Sequence, residues 1–285
     1  MQLKNIYNLP ESIVRAIQLD DYDYPKDIWT IPTSQLISPL RKSLLEHRHD
    51  SELVEDVSDN IWRLFGNCMH YILGKQGDGK IVEKRIEAFI NDFTVTGKPD
   101  NFDPITGTLL DYKVTSVWSL IFSPEGKREW TEQMNVYVWL LRKNRYVVNL
   151  AKIIAILRDW QEREAQKNLD YPQVAIQQLD IDLWTEEVQE NFIWEKLNQR
   201  KQYQTLPDDR LPVCTEEERW KAPDVYAFKK EVDSERAVRV FKDELEADKY
   251  GLDNPKLIKE VRVGESRRCL KYCSVKNLCD FGRDL

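Results

Sequence analysis

The residues best suited to chemistry lie in one stretch, Thr96 to Lys113, where two aspartates and a lysine are separated by turn-forming residues. Asp100 follows a Gly-Lys-Pro turn, and Asp111 and Lys113 close an apolar run. The intervening residues 101–107 predict a hairpin with a longer loop. Because side chains alternate along a strand, Asp111 and Lys113 are expected on one sheet face, to which the hairpin would return Asp100.

Two carboxylates and an ammonium group on one sheet face can act on phosphate. Mg2+ prefers oxygen ligands, and it binds through one or two carboxylates together with water and phosphate. The stretch therefore predicts a divalent metal site at Asp100 and Asp111, with Lys113 beside it.

A predicted helix precedes this stretch, capped by Ser58, running to about Leu73 and stopping at Gly74. One of its faces is apolar and is predicted to be buried; it consists of Ile61, Phe65, Cys68 and Ile72. A second face consists of Trp62, Gly66 and His70. His70 has two interpretations, a satisfied core histidine or a metal ligand. Cys68 is predicted to be a small core residue.

The order of the motifs resembles the RecB-like branch of the PD-(D/E)XK nuclease superfamily. The matching motifs are His70, Pro99-Asp100, Asp111-Tyr112-Lys113 and Gln133-x3-Tyr137. The resemblance covers roughly residues 34–146 and 214–279. It implies an α/β fold: a central mixed β-sheet flanked by helices, as in restriction endonucleases, with a C-terminal cluster-bearing lobe.

The resemblance also implies roles for these residues in a metal-dependent DNA nuclease, of the exonuclease kind. The implied ligands of Mg2+ or Mn2+ are His70, Asp100, Asp111 and the main-chain carbonyl of Tyr112. Lys113 would orient the attacking water, and Gln133 and Tyr137 would position the DNA strand. A histidine ligand favours Mn2+ as an activator in vitro.

Four of the five cysteines suit a second metal site, made of Cys214 and the motif Cys269-x3-Cys273-x5-Cys279. Four thiolates suit a [4Fe–4S] cluster or tetrahedral zinc. Spacings wider than C-x2-C favour the cluster, as does a similarity to the cysteine tails of iron–sulfur nucleases in the same branch. The alternative is a set of reduced, unligated cysteines. Cys214, in a predicted loop, is expected to be the fourth ligand in preference to Cys68.

Composition limits the possible functions. The 285 residues are 41% hydrophobic, enough for a substantial core, and no apolar run is long enough for a membrane span. With no signal-peptide core at the N-terminus, a cytoplasmic protein without a membrane partner is expected. A net charge of −7 counts against a broad nucleic-acid-coating surface but permits a narrow basic groove.

The remaining pattern predicts a nuclease core over residues 1–205 and a cysteine-containing lobe over residues 206–285. Glu83 and Glu87 lie in a predicted strand pair over 81–95; either could aid the site, but a surface charge is the favoured interpretation. Further helices are predicted at 130–143, 184–204 and 234–250, and strands at 152–157, 173–182, 224–230 and 256–263.

The expected partner is DNA, single-stranded or at its ends, together with recombination, replication or CRISPR-adaptation proteins. The resemblance fits phage exonucleases and CRISPR-adaptation nucleases alike. Two rival functions stay open: a DNA-binding module that keeps the fold without chemistry, and a zinc-stapled structural protein.

Overall fold

The computed structural model describes residues 2–19, 27–75 and 79–285, which divide into two compact units. The first contains residues up to Ser38 together with Val54–Thr205. The second contains Pro39–Leu53 and Leu206–Leu285, so it includes a helical segment from near the N-terminus as well as the predicted lobe. No helix in the described ranges is long and apolar enough to cross a membrane.

The strands are β1 (Gln2–Lys4), β2 (Thr30–Pro32), β3 (Val54–Asp56), β4 (Ile86–Ile90), β5 (Phe93–Gly97), β6 (Asn101–Asp103), β7 (Thr108–Thr115), β8 (Leu150–Leu157), β9 (Ile176–Asp180), β10 (Val225–Lys229), β11 (Arg239–Phe241) and β12 (Ile258–Arg262). The α-helices are α1 (Glu11–Gln18), α2 (Thr33–Ile37), α3 (Leu40–Arg48), α4 (Ile61–Gly74), α5 (Val117–Phe122), α6 (Arg128–Lys143), α7 (Glu162–Lys167), α8 (Glu186–Tyr203), α9 (Glu244–Asp253), α10 (Arg267–Lys271) and α11 (Asp280–Arg283).

A mixed four-stranded sheet, in the order β6-β7-β8-β9, forms the centre of the first unit. The long strands β7 and β8 run parallel, whereas β6 and β9 pair antiparallel at the two sides. Alternate residues of β8, including Ala151 and Ile153, are buried, as expected of a strand that packs on a helix layer. Helix α6 supplies much of that layer through Met134, Val138 and Leu141. The predicted fold class, mixed α/β with sheets flanked by helices, is confirmed.

Helix α4 differs from its prediction at its start and in its buried face. The side chain of Asp56 accepts a hydrogen bond from the amide of Ser58, and a short 3-10 turn precedes the α-helix at Ile61. Phe65 and Cys68, predicted to be buried, are exposed. The apolar residues of α4 do repeat with helical periodicity, but periodicity does not show whether another element covers them. The side of α4 that carries His70 faces β7 instead.

The second unit contains an antiparallel sheet in the order β11-β10-β12, packed against α9. The single helix predicted over 234–250 is wrong. Its first part forms β11, and α9 begins only at Glu244, where the side chain of Asp243 accepts a hydrogen bond from the amide of Glu246. A β-branched run around Val240 favours the strand, and an aspartate N-cap then starts the helix.

Candidate active site

The predicted hairpin is present, and it brings the two aspartates together. Strands β6 and β7 pair antiparallel with Asn101 opposite Leu110, which places Asp100 level with Asp111. The amide of Tyr112 donates to Asp100 Oδ2 at 2.7 Å. Backbone pairing and a side-chain bond therefore both fix Asp100 beside the strand that carries Asp111.

Asp111 and Lys113 form an enclosed ion pair. Asp111 is 0% exposed, and its Oδ2 lies 2.7 Å from Lys113 Nζ. Asp111 Oδ1 is buried without a hydrogen-bond partner among the described residues. Burial raises the pKa of Asp111 to about 6 although Lys113 opposes the shift. Burial by itself would lower the pKa of Lys113, but the charges of Asp111 and Asp100 raise it, so this ammonium stays charged at neutral pH.

Helix α6 holds Lys113 from the other side, through Gln133 and Tyr137. Lys113 Nζ donates to Gln133 Oε1 at 2.9 Å, and Gln133 Nε2 donates to the hydroxyl of Tyr137 at 3.0 Å. Strand β5 passes close to this helix: a Cβ added at Gly97 would lie 2.8 Å from the ring of Tyr137. The structure thus joins Asp111, Lys113, Gln133 and Tyr137 in one chain of contacts.

A second cluster contains His70, Glu83 and Asp100. His70 Nδ1 lies 3.2 Å from Glu83 Oε1 and 3.3 Å from Asp100 Oδ2. One ligand atom from each residue lies within 4.8 Å of the other two, as is needed to hold a metal ion. Hydrogen bonds to Asp100 and then to Glu83 raise the pKa of His70 to about 10. His70 is therefore an imidazolium between two carboxylates when no metal is bound.

Glu83 joins His70 and Asp100, so of the two alternatives that the sequence left open, a role in the site fits better than a surface charge. Its φ is +48°, in the left-handed region, and its amide donates to the carbonyl of Pro99 at 3.0 Å. Ile81 bridges to Phe102 in the same stretch. This long-range pairing aims Glu83 at His70, and no local pattern reveals it. Glu87 is exposed, as predicted.

The donor set suits a hard or borderline divalent cation. Carboxylate oxygens are the ligands that Mg2+ and Mn2+ prefer, and an imidazole nitrogen favours Mn2+ of the two. Asp111 lies outside the 4.8 Å group, and its enclosed Oδ1 accepts no hydrogen bond from the described residues, which leaves it open to a cation. Tyr112 contacts the cluster through its amide and through its ring, 6.4 Å from the ring of His70. Of the predicted metal ligands, His70 and Asp100 are in direct contact, and Asp111 and Tyr112 adjoin them.

The four predicted cluster cysteines line one pocket in the second unit; they are Cys214, Cys269, Cys273 and Cys279. Arg41 also lines it: its Nε donates to Cys279 Sγ at 3.2 Å, and its Nη1 donates to the carbonyl of Leu211 at 2.6 Å. Burial, followed by the nearby Glu218, raises the pKa of Cys214 to about 11. The cysteines are unpaired thiols, and Cys68 belongs to the other unit.

Comparisons with known proteins add little to this geometry. No protein-family model matches the chain, and no curated protein is significantly similar to it. The crystal structure of SSO0001 is similar with a TM-score of 0.49 and 15% identity, over 70% of this chain and 87% of that one. A phage-related exonuclease from Haemophilus somnus 129PT is similar with a TM-score of 0.39 and 16% identity, over 63% and 94%. Likenesses of this size leave the function to be argued from the site.

Proposed function

We propose that this protein is a metal-dependent nuclease that hydrolyses phosphodiester bonds in DNA. The observation that carries the proposal is the enclosed Asp111–Lys113 pair beside the cluster of His70, Glu83 and Asp100. A carboxylate cluster alone would suggest only cation binding. A charged lysine fixed next to that cluster adds a group that can act on a phosphate.

The metal would be held by His70, Glu83, Asp100 and Asp111. A bound Mg2+ or Mn2+ supplies polarisation of the scissile phosphate and a lowered pKa for its water. The fit rests on the buried, unpartnered oxygen of Asp111 and on the nitrogen and oxygen donors that already converge.

Lys113 is the residue to which we assign water orientation and charge stabilisation. Two of its three N–H donors are directed at Asp111 and Gln133, so one remains for the attacking water. Its positive charge also stabilises the negative charge that builds up on the phosphate. The contact with Gln133 fixes the direction of Lys113, and Tyr137 fixes Gln133 in turn. Gln133 and Tyr137 are therefore positioning residues, because they act through Lys113.

The test compares two neighbouring glutamates, Glu83→Gln and Glu87→Gln, in cleavage of end-labelled single- and double-stranded DNA with Mn2+. Glu83 touches His70, whereas Glu87 is exposed on β4. We expect Glu83→Gln to lose most of the activity and Glu87→Gln to match the wild type. Wild-type protein that leaves both DNA forms intact would contradict the proposed function.

We also propose that the four pocket cysteines bind a [4Fe–4S] cluster with a structural role. The sequence spacings of three and five residues, wider than C-x2-C, favour it over zinc, and cations line the pocket. Arg41 contacts Cys279, and Arg219 and Lys42 line the same pocket. Positive neighbours stabilise the net negative charge that four thiolates bring to a metal centre. The iron and zinc content of anaerobically purified protein decides between the two.

A further inference from the structure

Exposed aromatic side chains stand on two short stretches of the first unit. Trp62 and Phe65 lie on α4 with their rings edge to face at 6.5 Å, and Trp118 and Phe122 lie on α5, stacked at 5.9 Å. Trp62 is 52% exposed and Trp118 is 55% exposed. Exposure of a tryptophan side chain to water is unfavourable, so two exposed indole rings near a candidate active site indicate a ligand-binding surface.

Arg158 connects the two aromatic pairs with the strand that carries the site. Its guanidinium lies 4.1 Å from the ring of Trp62, and its amide donates to the carbonyl of Thr115 at the end of β7. The adjacent Asp159 accepts a hydrogen bond from the amide of Val117, the first residue of α5. Both aromatic pairs thus flank the end of the strand that holds Asp111 and Lys113.

The positive charge beside the aromatic rings selects the kind of ligand. Burial is the main cause of the lowered pKa of Lys127, and the nearby guanidinium of Arg158 lowers that pKa further. Lys127 lies over the buried ring of Trp130, so Arg158, exposed against the ring of Trp62, is the cation beside the open aromatic faces. An exposed cation among open aromatic rings is complementary to a polymer that offers both planar rings and phosphates. A protein partner would meet the same cation with carboxylates, so the test also measures self-association.

The surface also leads towards the metal cluster. Trp62, Gly66 and His70 recur every fourth residue of α4, so they form one stripe, about 12 Å long at 1.5 Å per residue. A Cβ added at Gly66 would meet nothing within 4 Å, so the path between Trp62 and His70 is open. That length spans roughly three to four nucleotides of a stacked strand.

We propose that single-stranded nucleic acid binds along this surface, with bases stacked on Trp62 and Trp118 and a phosphate held by Arg158, and that it enters the site at His70. The inference rests on the proposed nuclease function and adds the surface outside the metal cluster that binds the strand. A duplex keeps its base faces covered by neighbouring pairs, so it has no rings to offer the two tryptophans.

The test measures fluorescence anisotropy of labelled oligothymidylate, an abasic strand of the same length and a duplex, all in EDTA so that nothing is cleaved. We expect the base-bearing single strand to bind tightest. Trp62→Ala and Trp118→Ala should each weaken that binding about tenfold, and Trp62→Phe should restore most of it. Phe89→Ala, which removes an exposed aromatic ring from β4, is the matched control and should bind like the wild type.

Equal affinity for the abasic strand, or unchanged binding by both tryptophan variants, would overturn the inference. If the protein self-associates and Trp62→Ala abolishes that association, the inference is also overturned, because a second copy of the protein would then occupy the surface. Cleavage is scored separately with Mn2+. If the strand binds through Trp62 but is not cleaved, the nuclease proposal is refuted and the binding surface is retained. If the strand is cleaved but its binding does not depend on the tryptophans, the binding surface is refuted and the nuclease proposal is retained.

Discussion

Individual residues of the site hold charge where burial opposes it. Asp111 is fully buried, Asp100 lies next to it in the hairpin, and His70 shares its proton with two carboxylates. A cation would relieve the repulsion between the carboxylates and supply the partner that Asp111 Oδ1 lacks. Without metal, ionised Asp111 should therefore lower stability in a way that depends on pH.

The pH dependence of Asp111 follows from its raised pKa. Its folded value of about 6 exceeds the unfolded value of 3.8, so its stabilising contribution is complete below pH 3.8 and is lost as the pH rises through 6. Asn does not titrate, so the wild type should lose up to about 3 kcal/mol relative to Asp111→Asn over that range. Urea unfolding in EDTA measures the difference, and a constant difference across the range would show that Asp111 titrates normally.

Metal binding should compete with the proton on His70. Because the pKa of His70 is about 10 in the metal-free protein, each bound ion must displace that proton near neutral pH. The apparent affinity for Mn2+ should then rise about tenfold per pH unit above pH 7, and His70→Gln should bind weakly with a flat pH dependence. Calorimetric titration checks both. A flat dependence in the wild type would remove His70 from the ligands.

At the scale of elements, the position of the site depends on how β5 and α6 approach each other. Gly97 of β5 leaves room for Tyr137 and Leu140, since a Cβ there would lie 2.8 Å and 2.7 Å from their side chains. Helix α6 carries Gln133 at the same time, so the close approach of the strand sets the distance from Gln133 to Lys113.

Replacing Gly97 and Gly66 with alanine should therefore have opposite effects on the free energy of unfolding. Gly97→Ala should cost about 1–3 kcal/mol through overpacking and should slow cleavage by moving α6. Gly66→Ala, in the open on α4, should instead add about 0.5–1 kcal/mol because alanine favours the helix. Urea unfolding of the two variants provides the comparison. A Gly97→Ala protein as stable and active as the wild type would show that this contact is unimportant.

The sequence predicts the secondary-structure elements and the site motifs better than it predicts which neighbours contact or cover each residue. Asp100, Asp111 and Lys113 were found because the turn and the strand lie within one short stretch. The sequence favours a surface charge at Glu83 over a site role, because its position beside His70 depends on a left-handed backbone and on pairing with residues near Pro99. The exposed face of α4 was misjudged because an apolar stripe is equally typical of a core helix and of a ligand surface.

At the scale of the whole molecule, the two units combine two proposed metal centres in one acidic chain with a net charge of −7. Repulsion of DNA by the overall charge makes local cations and the bound metal decisive for affinity. Binding should accordingly weaken steeply with added salt.

The cysteine centre should depend on Cys214 and not on Cys68. Cys214 lines the pocket with the other three cysteines, whereas Cys68 is exposed on α4. Cys214→Ser should lose the brown colour and iron of anaerobically purified protein and make the second unit sensitive to proteolysis. Cys68→Ser, the matched control, should keep both. Full colour in Cys214→Ser would reject Cys214 as a ligand. Stoichiometric zinc without iron would reject the iron–sulfur cluster but retain a structural metal site at these cysteines.

The most direct test of the nuclease itself is single-turnover cleavage of end-labelled single-stranded DNA with Mn2+ by the wild type and by Lys113→Ala. Lys113 is the charged group fixed beside the metal cluster by Asp111 and Gln133. The wild type should cleave, and Lys113→Ala should be slower by about a hundredfold or more while still binding the strand. Cleavage by Lys113→Ala at the wild-type rate would contradict the proposed mechanism.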